Sequence, residues 1–152
     1  MTVQISYLLP AHNQAAVLPA HVHTVRERLA ADFSPSEILI IENGSMDETA
    51  RVAASLVEDL SDEHVALRLL ESEKGLGHAM RAGVHASRGD LVVIAGGVPF
   101  GFTDLDAALA LEQRPRLAIG SKAHPGSRLE RDVSRRISSA GFKLVRRVLL
   151  NS

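Results

Sequence analysis

The stretch Glu37 to Thr49, EILIIENGSMDET, decides the predicted fold, because an apolar run passes directly into a short polar loop and a helix start. The run Ile38 to Ile41 lacks alternating polar residues, which indicates a strand covered by helices on both faces. Gly44 suits the turn that follows, and Ser45 suits the N-cap of a helix. In an open α/β sheet, a loop of this kind at the carboxyl end of a strand is where a ligand binds.

Polar side chains follow this strand directly. Glu42 offers a carboxylate and Asn43 an amide, while Asp47 and Glu48 are expected in the first helical turn, where the helix dipole favours acids. A capped strand-to-helix turn that binds nothing explains the same residues equally well. Both interpretations stay open when this segment is considered alone.

Strands and helices alternate along the rest of the chain. The predicted strands are Val3 to Leu9, Glu37 to Ile41, Val65 to Leu70, Leu91 to Ile94 and Leu117 to Ile119. The predicted helices are Asn13 to Ala31, Met46 to Leu60, Leu76 to Ser87, Asp104 to Glu112 and Arg131 to Leu150. Alternation at intervals of about thirty residues predicts an α/β fold in which helices cover both faces of a mostly parallel sheet.

The first strand is expected to end at Pro10, ahead of the first helix. The apolar face of that helix is predicted from Val17, His21, Val25 and Leu29. His21 and His23 lie two residues apart and therefore point to different faces, so they cannot share a metal. We interpret both as ordinary surface or half-buried positions.

Length and composition narrow the classes of function. A chain of 152 residues fits one domain, here taken as residues 1–152. The absence of cysteine excludes disulfides, zinc fingers and cysteine nucleophiles. Lys plus Arg (17) nearly balances Asp plus Glu (18), and aromatic residues are only 3%, so nucleic acid is not an expected partner.

The sequence predicts a cytoplasmic location. Its amino terminus, MTVQISYLLPAHNQ, has no basic region followed by an apolar core, as a signal peptide would. The longest apolar run, Leu91 to Phe102, contains glycines and a proline and is too short to span a bilayer.

The glycine-rich segment Lys74 to Met80, KGLGHAM, is not a dinucleotide-binding fingerprint. That fingerprint follows the first strand and needs a small third residue, whereas this segment follows the third strand and ends in Met80. His78 opens a helix beside this glycine loop, and a role in lining a site and simple surface exposure both stay open. The chain also lacks the G-x-x-x-x-G-K-[ST] and G-x-S-x-G patterns.

Four segments in order, LLPAHNQ, ENGSMDET, KGLGHAMRAG and IGSKAHPGSRLERDVSRR, resemble family-2 glycosyltransferases of the GT-A fold. The usual forms in that family are P-[AT]-Y-N-E, V-D-D-G-S-x-D-x-T, K-G-x-G-x-A-x-x-x-G and G-S-R. The resemblance covers essentially the whole chain. Its tail looks most like that of polyprenyl-phosphate sugar transferases, with dolichyl-phosphate glucose and mannose synthases as the nearest types. The fold that this implies is a three-layer α/β/α sandwich.

The resemblance implies a set of substrate-binding residues. The loop along the nucleobase and ribose of a nucleotide sugar corresponds to Pro10, Ala11, His12 and Gln14. Glu42 replaces the aspartate that accepts a hydrogen bond from the base imide, and Asn43 and Ser45 belong to the same segment. Lys74 occupies the basic position of the third loop near the nucleotide.

The resemblance also implies where phosphates would bind. Ser121 and Lys122 stand at the G-S-R motif, so the arginine near the diphosphate is replaced by a lysine that keeps the charge but loses the bidentate fork. We expect Lys122 and Arg131 to act in catalysis. Arg135 is the further candidate for a contact to the diphosphate or the acceptor phosphate.

The metal site of the family is the main departure. The family's D-x-D supplies carboxylates for a divalent cation, usually Mg²⁺ or Mn²⁺, and its counterpart here is Ala95-Gly96-Gly97, which has no oxygen ligand in a side chain. Asp104 and Asp106 follow shortly after, but we interpret them as capping residues of a helix. We therefore expect no metal ligands at the usual position.

A second departure is the short carboxyl-terminal part, which lacks the further segments that help to hold the acceptor. The predicted last helix is basic, and it includes Arg128, Arg131, Arg135, Arg136, Lys143, Arg146 and Arg147 in and just before it. Two interpretations stay open for this helix. It lies on an anionic membrane surface or meets a lipid phosphate, which would place the protein peripherally at the inner face, or it packs on the sheet.

The expected function is transfer of a hexose from a nucleotide-diphosphate sugar to an acceptor, with polyprenyl phosphate as the expected acceptor. The alternative is a catalytically degenerate module of the same fold that binds a nucleotide or a protein. A sugar-1-phosphate nucleotidyltransferase is excluded, because LLPAHNQ is not a G-x-G-T-R-type segment. A homodimer stays open.

Overall fold

The structure is a computed structural model that describes residues 2–94, 101–112 and 115–119. Its contacts group into two units, residues 1–107 and 108–152, and the elements below belong to the first unit unless stated. Several residues of the predictions lie outside the described residues, namely Ala95, Gly96, Gly97, Ser121, Lys122, Arg131, Arg135 and the predicted helix Arg131 to Leu150. The expectation of a single domain stays a prediction.

Four strands and four helices alternate in the described residues. The strands are β1 (Ile5–Ala11), β2 (Ser36–Glu42), β3 (Val65–Glu71) and β4 (Leu91–Ile94). The helices are α1 (Leu18–Asp32), α2 (Thr49–Leu60), α3 (Leu76–Ala86) and α4 (Thr103–Leu109), the last of which continues into the second unit. The sheet has the order β3-β2-β1-β4 with every pair parallel, which confirms the predicted α/β class.

Helices cover both faces of this sheet. The face that carries Ile5, Tyr7 and Leu9 packs on α1 and α2, while the opposite face, with Leu8 and Leu39, packs on α3. The chain moves outward from β1 to β3 and then returns to the other side of β1. Because parallel crossovers are right-handed, this reversal places α3 on the opposite face. The reversal also creates a switch point between β1 and β4, and open α/β sheets bind ligands at such points.

The inner strands form the core. Ile38 to Ile41 are each fully buried, as the uninterrupted apolar run predicted, because both of their faces lie against helices. Burial of such aliphatic side chains contributes about 1.5–3 kcal/mol each. The buried side chains of α1 are Leu18, Val22, Val25 and Leu29. The apolar run Ile38 to Ile41 is therefore typical of a central strand, which is the position of β2 in the sheet.

The prediction that β1 ends at Pro10 is wrong, because the strand continues through Pro10 to Ala11. Pairing with β4 ends where Leu8 meets Ile94, whereas pairing with β2 continues to Ala11. Beyond Leu8, β1 therefore has a described neighbour on one side only. A proline is tolerated at such an edge-like position.

The prediction that α1 begins near Asn13 is also wrong, because the helix begins at Leu18. Residues 12–17 form a loop in which Asn13 has a φ of 52°. Val17 is 45% exposed, so the buried face starts one residue later than its predicted position. A proline at the first helical turn favours the observed start, since its φ is already helical and its missing N–H breaks no bond there.

Two further boundaries differ from the prediction. Helix α2 begins at Thr49 rather than Met46, and α4 ends at Leu109 rather than Glu112. The predicted strand Leu117 to Ile119 is absent, and the two apolar side chains at its ends are 74% and 77% exposed. Three residues with no pairing neighbour among the described residues do not hold a strand.

A buried polar cluster closes the amino ends of the strands. The carboxylate of Glu37, 1% exposed, accepts hydrogen bonds from the Ser6 hydroxyl at 2.6 Å and the Arg68 guanidinium at 3.0 Å. The backbone N–H of Arg88 also donates to Glu37, at 2.7 Å, and that of Gly89 donates to Ser6 Oγ at 2.8 Å. Burial raises the pKa of the Glu37 carboxyl, but these hydrogen bonds and the Arg68 charge outweigh it, so the pKa lies below its usual value.

The described part of the chain contains no helix with the length and apolar character needed to cross a bilayer.

Candidate functional site

A cleft of about 300 Å³ opens at the carboxyl ends of the strands. It is lined by Pro10, His12, Gln14, Asn43, Lys74, Gly75 and Leu76. These residues come from the segments that follow β1, β2 and β3, which meet because parallel strands end at the same edge of a sheet. Residues far apart in sequence thus share one concave surface.

The cleft brings together half of the substrate-binding residues that the resemblance implied. Those that line it are Pro10, His12, Gln14, Asn43 and Lys74. Ala11 is fully buried at the end of β1. Glu42 is the last residue of β2 and Ser45 lies in the turn after it, and neither lines the cleft. Ser121, Lys122, Arg131 and Arg135 lie outside the described residues.

Hydrogen bonds join the first loop (residues 12–17) to the second loop (residues 43–48). The backbone N–H of Asn13 donates to Ser45 Oγ at 3.0 Å, and Asn13 Oδ1 accepts from the N–H of Met46 at 2.8 Å. Ser45 therefore holds the first loop instead of capping α2, which corrects its predicted N-cap role. The left-handed backbone of Asn13 is one that asparagine tolerates better than most residues.

Two more hydrogen bonds extend this connection toward α2. The N–H of Gln14 donates to Thr49 Oγ1 at 2.8 Å, and the N–H of Ala15 donates to Asp47 Oδ2 at 3.2 Å. Asp47 also accepts from the Thr49 hydroxyl and N–H, the bonds that organise the start of α2. The Thr49 hydroxyl is the main cause of the lowered pKa of the Asp47 carboxyl. Asp47 thus precedes the helix instead of lying in its first turn.

The third loop (residues 72–75) contacts the second loop through Gly44. The backbone of Gly44 has a φ of +78°, and a Cβ there would lie 3.2 Å from the Cβ of Lys74. The N–H of Ser72 donates to the carbonyl of Glu42 at 2.9 Å. The glycine therefore allows the backbone to approach closely, which brings Lys74 to the cleft.

Glu42 folds back on its own turn. Its carboxylate accepts from the N–H groups of Gly44, at 3.2 Å, and Ser45. Burial raises the pKa of the Glu42 carboxyl, but the hydrogen bonds from Ser45 and Gly44 and the nearby charge of His12 outweigh it, so the pKa lies below its usual value. Because each carboxylate oxygen has two lone pairs, the group keeps the capacity to accept a bond from a ligand.

The histidines differ in their relation to the cleft. His12 lines it and is half-buried, and its Nδ1 atom is buried without a hydrogen-bond partner in residues 2–94, 101–112 and 115–119. His78 is exposed, does not line the cleft, and lies 3.4 Å from a carboxylate oxygen of Glu73. His21 is half-buried and His23 exposed on α1, as expected.

Among the described residues, no group of three or more histidine, cysteine, aspartate or glutamate side chains is arranged to hold a metal ion. Asp104 and Asp106 lie in the first turn of α4, as predicted, and the carboxylate of Asp106 pairs with Arg28 of α1. The Arg28 guanidinium also lies over the ring of Phe102, 5.6 Å from its centroid. Asp106 thus anchors α4 and is not available to a metal in this arrangement.

Several residues that the sequence pattern did not single out shape the site without lining it. Asn13 and Thr49 hold the loops together through the bonds described above. Gly83 allows α3 to lie against the sheet, because a Cβ there would come within 2.6 Å of Leu8 Cδ2. A sequence signal was present for Thr49 and Gly83, because they are the last residues of the segments ENGSMDET and KGLGHAMRAG.

Several known proteins are similar to this chain in sequence. The family described as Glycosyl transferase family 2 matches residues 6–96. The chain is 27% identical to the dolichyl-phosphate beta-glucosyltransferase of Mus musculus over 140 aligned positions, which cover 81% of this chain and 42% of that protein. It is 32% identical to the enzyme of the same name from Dictyostelium discoideum over 92 positions, which cover 57% of this chain and 28% of that protein.

A mycobacterial relative is similar to a comparable degree. The PGL/p-HBAD biosynthesis glycosyltransferase of Mycobacterium tuberculosis (strain ATCC 25618 / H37Rv) is 30% identical over 91 positions, which cover 60% of this chain and 34% of that protein. The chain spans less than half the length of these curated relatives. The matched residues 6–96 include the three loops that form the cleft, and the chain belongs to glycosyl transferase family 2.

Proposed function

We propose that this chain transfers a hexose from a nucleotide-diphosphate sugar to polyprenyl phosphate, with the cleft as the site of the nucleotide sugar. One observation carries the proposal: Pro10, His12, Asn43 and Lys74 converge at the carboxyl edge of the sheet from three separate loops. The family match covers the same loops. The names of the mouse and Dictyostelium relatives support dolichyl-type phosphate as the acceptor class.

The cleft offers groups that suit a nucleotide diphosphate. Lys74 brings an exposed ammonium group, and His12, Gln14 and Asn43 bring side chains that form hydrogen bonds. Glu42 does not line the cleft but adjoins the lining residue Asn43, and its ionised carboxylate keeps lone pairs that can accept a bond from a base imide. Apolar contact comes from Pro10 and other lining residues, as is usual for small-molecule sites.

The proposed reaction needs few chemical groups from the protein. An oxygen of the acceptor phosphate attacks the anomeric carbon, the bond from that carbon to the diphosphate oxygen breaks, and the nucleoside diphosphate leaves. The acceptor phosphate is already ionised near neutral pH, so the attack needs no strong general base. The protein must place the two substrates and neutralise the departing diphosphate.

We assign this neutralisation to cationic side chains. Lys74 lies at the cleft, and we propose Lys122 and Arg131 as catalytic contacts and Arg135 as a phosphate contact, on the basis of the G-S-R-like segment and the basic sequence that follows. Every role proposed here is assigned to a side chain of this chain, and the effect of a divalent cation is left to the experiment below. Because the acceptor is a lipid, we propose a peripheral position at the inner face of the membrane.

The direct test is transfer of radiolabelled hexose from UDP-glucose, GDP-glucose and GDP-mannose to polyprenyl phosphate, with and without Mn²⁺. We expect a labelled lipid from one donor. Absence of product from all three, with nucleotide binding retained, would contradict transferase activity and favour the binding module. Product that forms only with Mn²⁺ would show that transfer requires a divalent cation in addition to the cationic side chains assigned here.

A substitution tests the assignment of Glu42. We expect Glu42→Ala to weaken nucleotide-sugar binding about tenfold or more, because hydrogen bonds to charged groups contribute about 1.5–3 kcal/mol. Calorimetric titration measures this effect. Glu42→Gln is the matched control, since it keeps an acceptor for the turn but loses the charge. Unchanged affinity in Glu42→Ala would remove the base contact from the proposal.

A further inference from the structure

The side chain of His12 lines the cleft. Nδ1 of His12 is buried, and none of the described residues forms a hydrogen bond with it. Buried polar atoms are nearly always paired in folded proteins, so this one calls for an explanation. Because His12 lines the cleft, a molecule bound there is a candidate partner for its ring nitrogens.

The groups around His12 have fixed charges near neutral pH. Glu42 lies close enough for the charge of His12 to lower the pKa of its carboxyl, and Asp47 in the second loop also has a pKa below its usual value. Both carboxylates are therefore ionised near neutral pH. Lys74 contributes an ammonium group, while the other polar side chains of the cleft, Gln14 and Asn43, are amides that do not titrate.

Histidine is the side chain whose charge ordinarily changes between pH 5 and 8. Protonation would add a positive charge at the cleft and turn both ring nitrogens into donors. The diphosphate of a nucleotide sugar is anionic and accepts hydrogen bonds at its oxygens. Charge-assisted bonds of this kind are about twice as strong as neutral ones.

We propose that His12 makes nucleotide-sugar binding depend on pH, with tighter binding when its imidazole is protonated. This inference rests on the proposed function of the cleft. The affinity should rise about five- to tenfold as the pH falls from 7.5 to 5.5, the gain from one charge-assisted hydrogen bond. His12 then links donor binding to the acidity of its surroundings.

The experiment is calorimetric titration of the full chain with UDP-glucose, GDP-glucose and GDP-mannose between pH 5.5 and 7.5. Nucleotide sugars are the right probes because their diphosphate is esterified at both ends, whereas a terminal phosphate itself titrates near pH 6. We expect His12→Gln to bind with a Kd that is constant within about twofold, because glutamine cannot be protonated in this range. His78→Gln is the matched control, since His78 is exposed and outside the cleft, and it should keep the full pH dependence.

Several outcomes would overturn the inference. A constant Kd in the wild-type chain, a full pH dependence in His12→Gln, or its loss in His78→Gln would each do so. NMR titration of the His12 ring in the wild-type chain needs no substitution. By linkage, bound donor should move its titration to higher pH, and an unchanged titration would contradict the inference. Failure of all three donors to bind at any pH would instead contradict the proposed function, a result distinct from binding that is independent of pH.

Discussion

The two ends of the parallel sheet handle polar groups in opposite ways. At the amino end, Glu37 is surrounded by donors from Ser6, Arg68 and the backbone of Arg88. At the carboxyl end, three loops bond to one another but leave a cleft in which His12 has a buried nitrogen without a partner in the described residues. At the amino end the buried polar groups bond to one another, whereas at the carboxyl end polar side chains line a cleft that can take a ligand.

This difference shows how one sheet separates stability from binding. The amino-end cluster joins residues of β1, β2 and β3 to the chain just before β4, so it holds the sheet together. At the carboxyl end, hydrogen bonds between the loops fix the position of each loop, and this keeps side chains such as His12 and Lys74 at the cleft. Substitutions at the two ends should therefore have separable effects.

Removal of the central carboxylate should have the largest effect. We expect Glu37→Ala to lower the free energy of unfolding by about 3–5 kcal/mol, because it leaves the Arg68 guanidinium and the Ser6 hydroxyl without their buried acceptor. Urea denaturation measures this change. Glu63→Ala is the control, since the side chain of Glu63 is 89% exposed, and it should change stability by less than about 0.5 kcal/mol. A stable Glu37→Ala chain would refute the structural role of the cluster.

Acid should weaken the same cluster reversibly. The pKa of Glu37 is lowered in the folded chain, so its contribution is fully present above the unfolded pKa of about 4.3 and is lost as the pH falls through the folded pKa. Stability should thus vary little near neutral pH through this group and fall below about pH 4.5. Urea denaturation at several pH values, compared with Glu37→Gln, isolates this effect. An equally steep acid loss in Glu37→Gln would assign it to other carboxylates.

The packing of α3 on the sheet offers the next test. We expect Gly83→Val to destabilise the chain by about 2 kcal/mol, because its Cβ would lie within 2.6 Å of Leu8 and 3.1 Å of Ile41. Gly77→Ala is a control in the same helix, since a Cβ there meets no described heavy atom within 4 Å. That control should stabilise the helix by about 0.5–1 kcal/mol. Thermal unfolding distinguishes the two variants, and equal effects would show that α3 can shift away from the sheet.

The loop connection should give the smallest loss of stability but a clear loss of binding. We expect Asn13→Ala to cost about 1 kcal/mol, since it removes the acceptor for the N–H of Met46. Nucleotide-sugar affinity should fall about fivefold because the first loop is no longer fixed. Asn13→Asp keeps the acceptor oxygen and should bind almost as the wild type does. Calorimetry that shows normal binding in Asn13→Ala would mean that the other three bonds suffice.

Much of this architecture could be predicted from the sequence because local pattern and burial agree. The run Ile38 to Ile41 was identified as a doubly covered strand, and the bounds of β4 matched the prediction. Boundaries failed where contacts between distant residues overrode local preference. Asn13 and Ser45 appeared suited to helix starts, yet they bond to each other across two loops, so α1 and α2 begin later.

In the candidate site, too, local sequence pattern predicted some features and contacts between distant residues decided the others. The polar residues after each strand were identified one by one, but the sequence could not tell which of them face the cleft. Glu42 turned toward the N–H groups of its own turn, while His12 and Lys74 reached the cleft. The direction of a side chain depends on which donors and acceptors the folded neighbours present.

The sequence by itself determined the family and the order of the four strands and four helices that the structure describes, because apolar periodicity and glycine positions can be read directly from the sequence. Only the tertiary structure decided that Glu37 lies in a hydrogen-bonded cluster at one end of the sheet, while at the other end Nδ1 of His12 is buried without a partner among the described residues. Both are polar residues close to a strand, and nothing local distinguishes them. What separates them is the number of hydrogen-bond partners that distant segments supply, and only the folded chain brings those segments together.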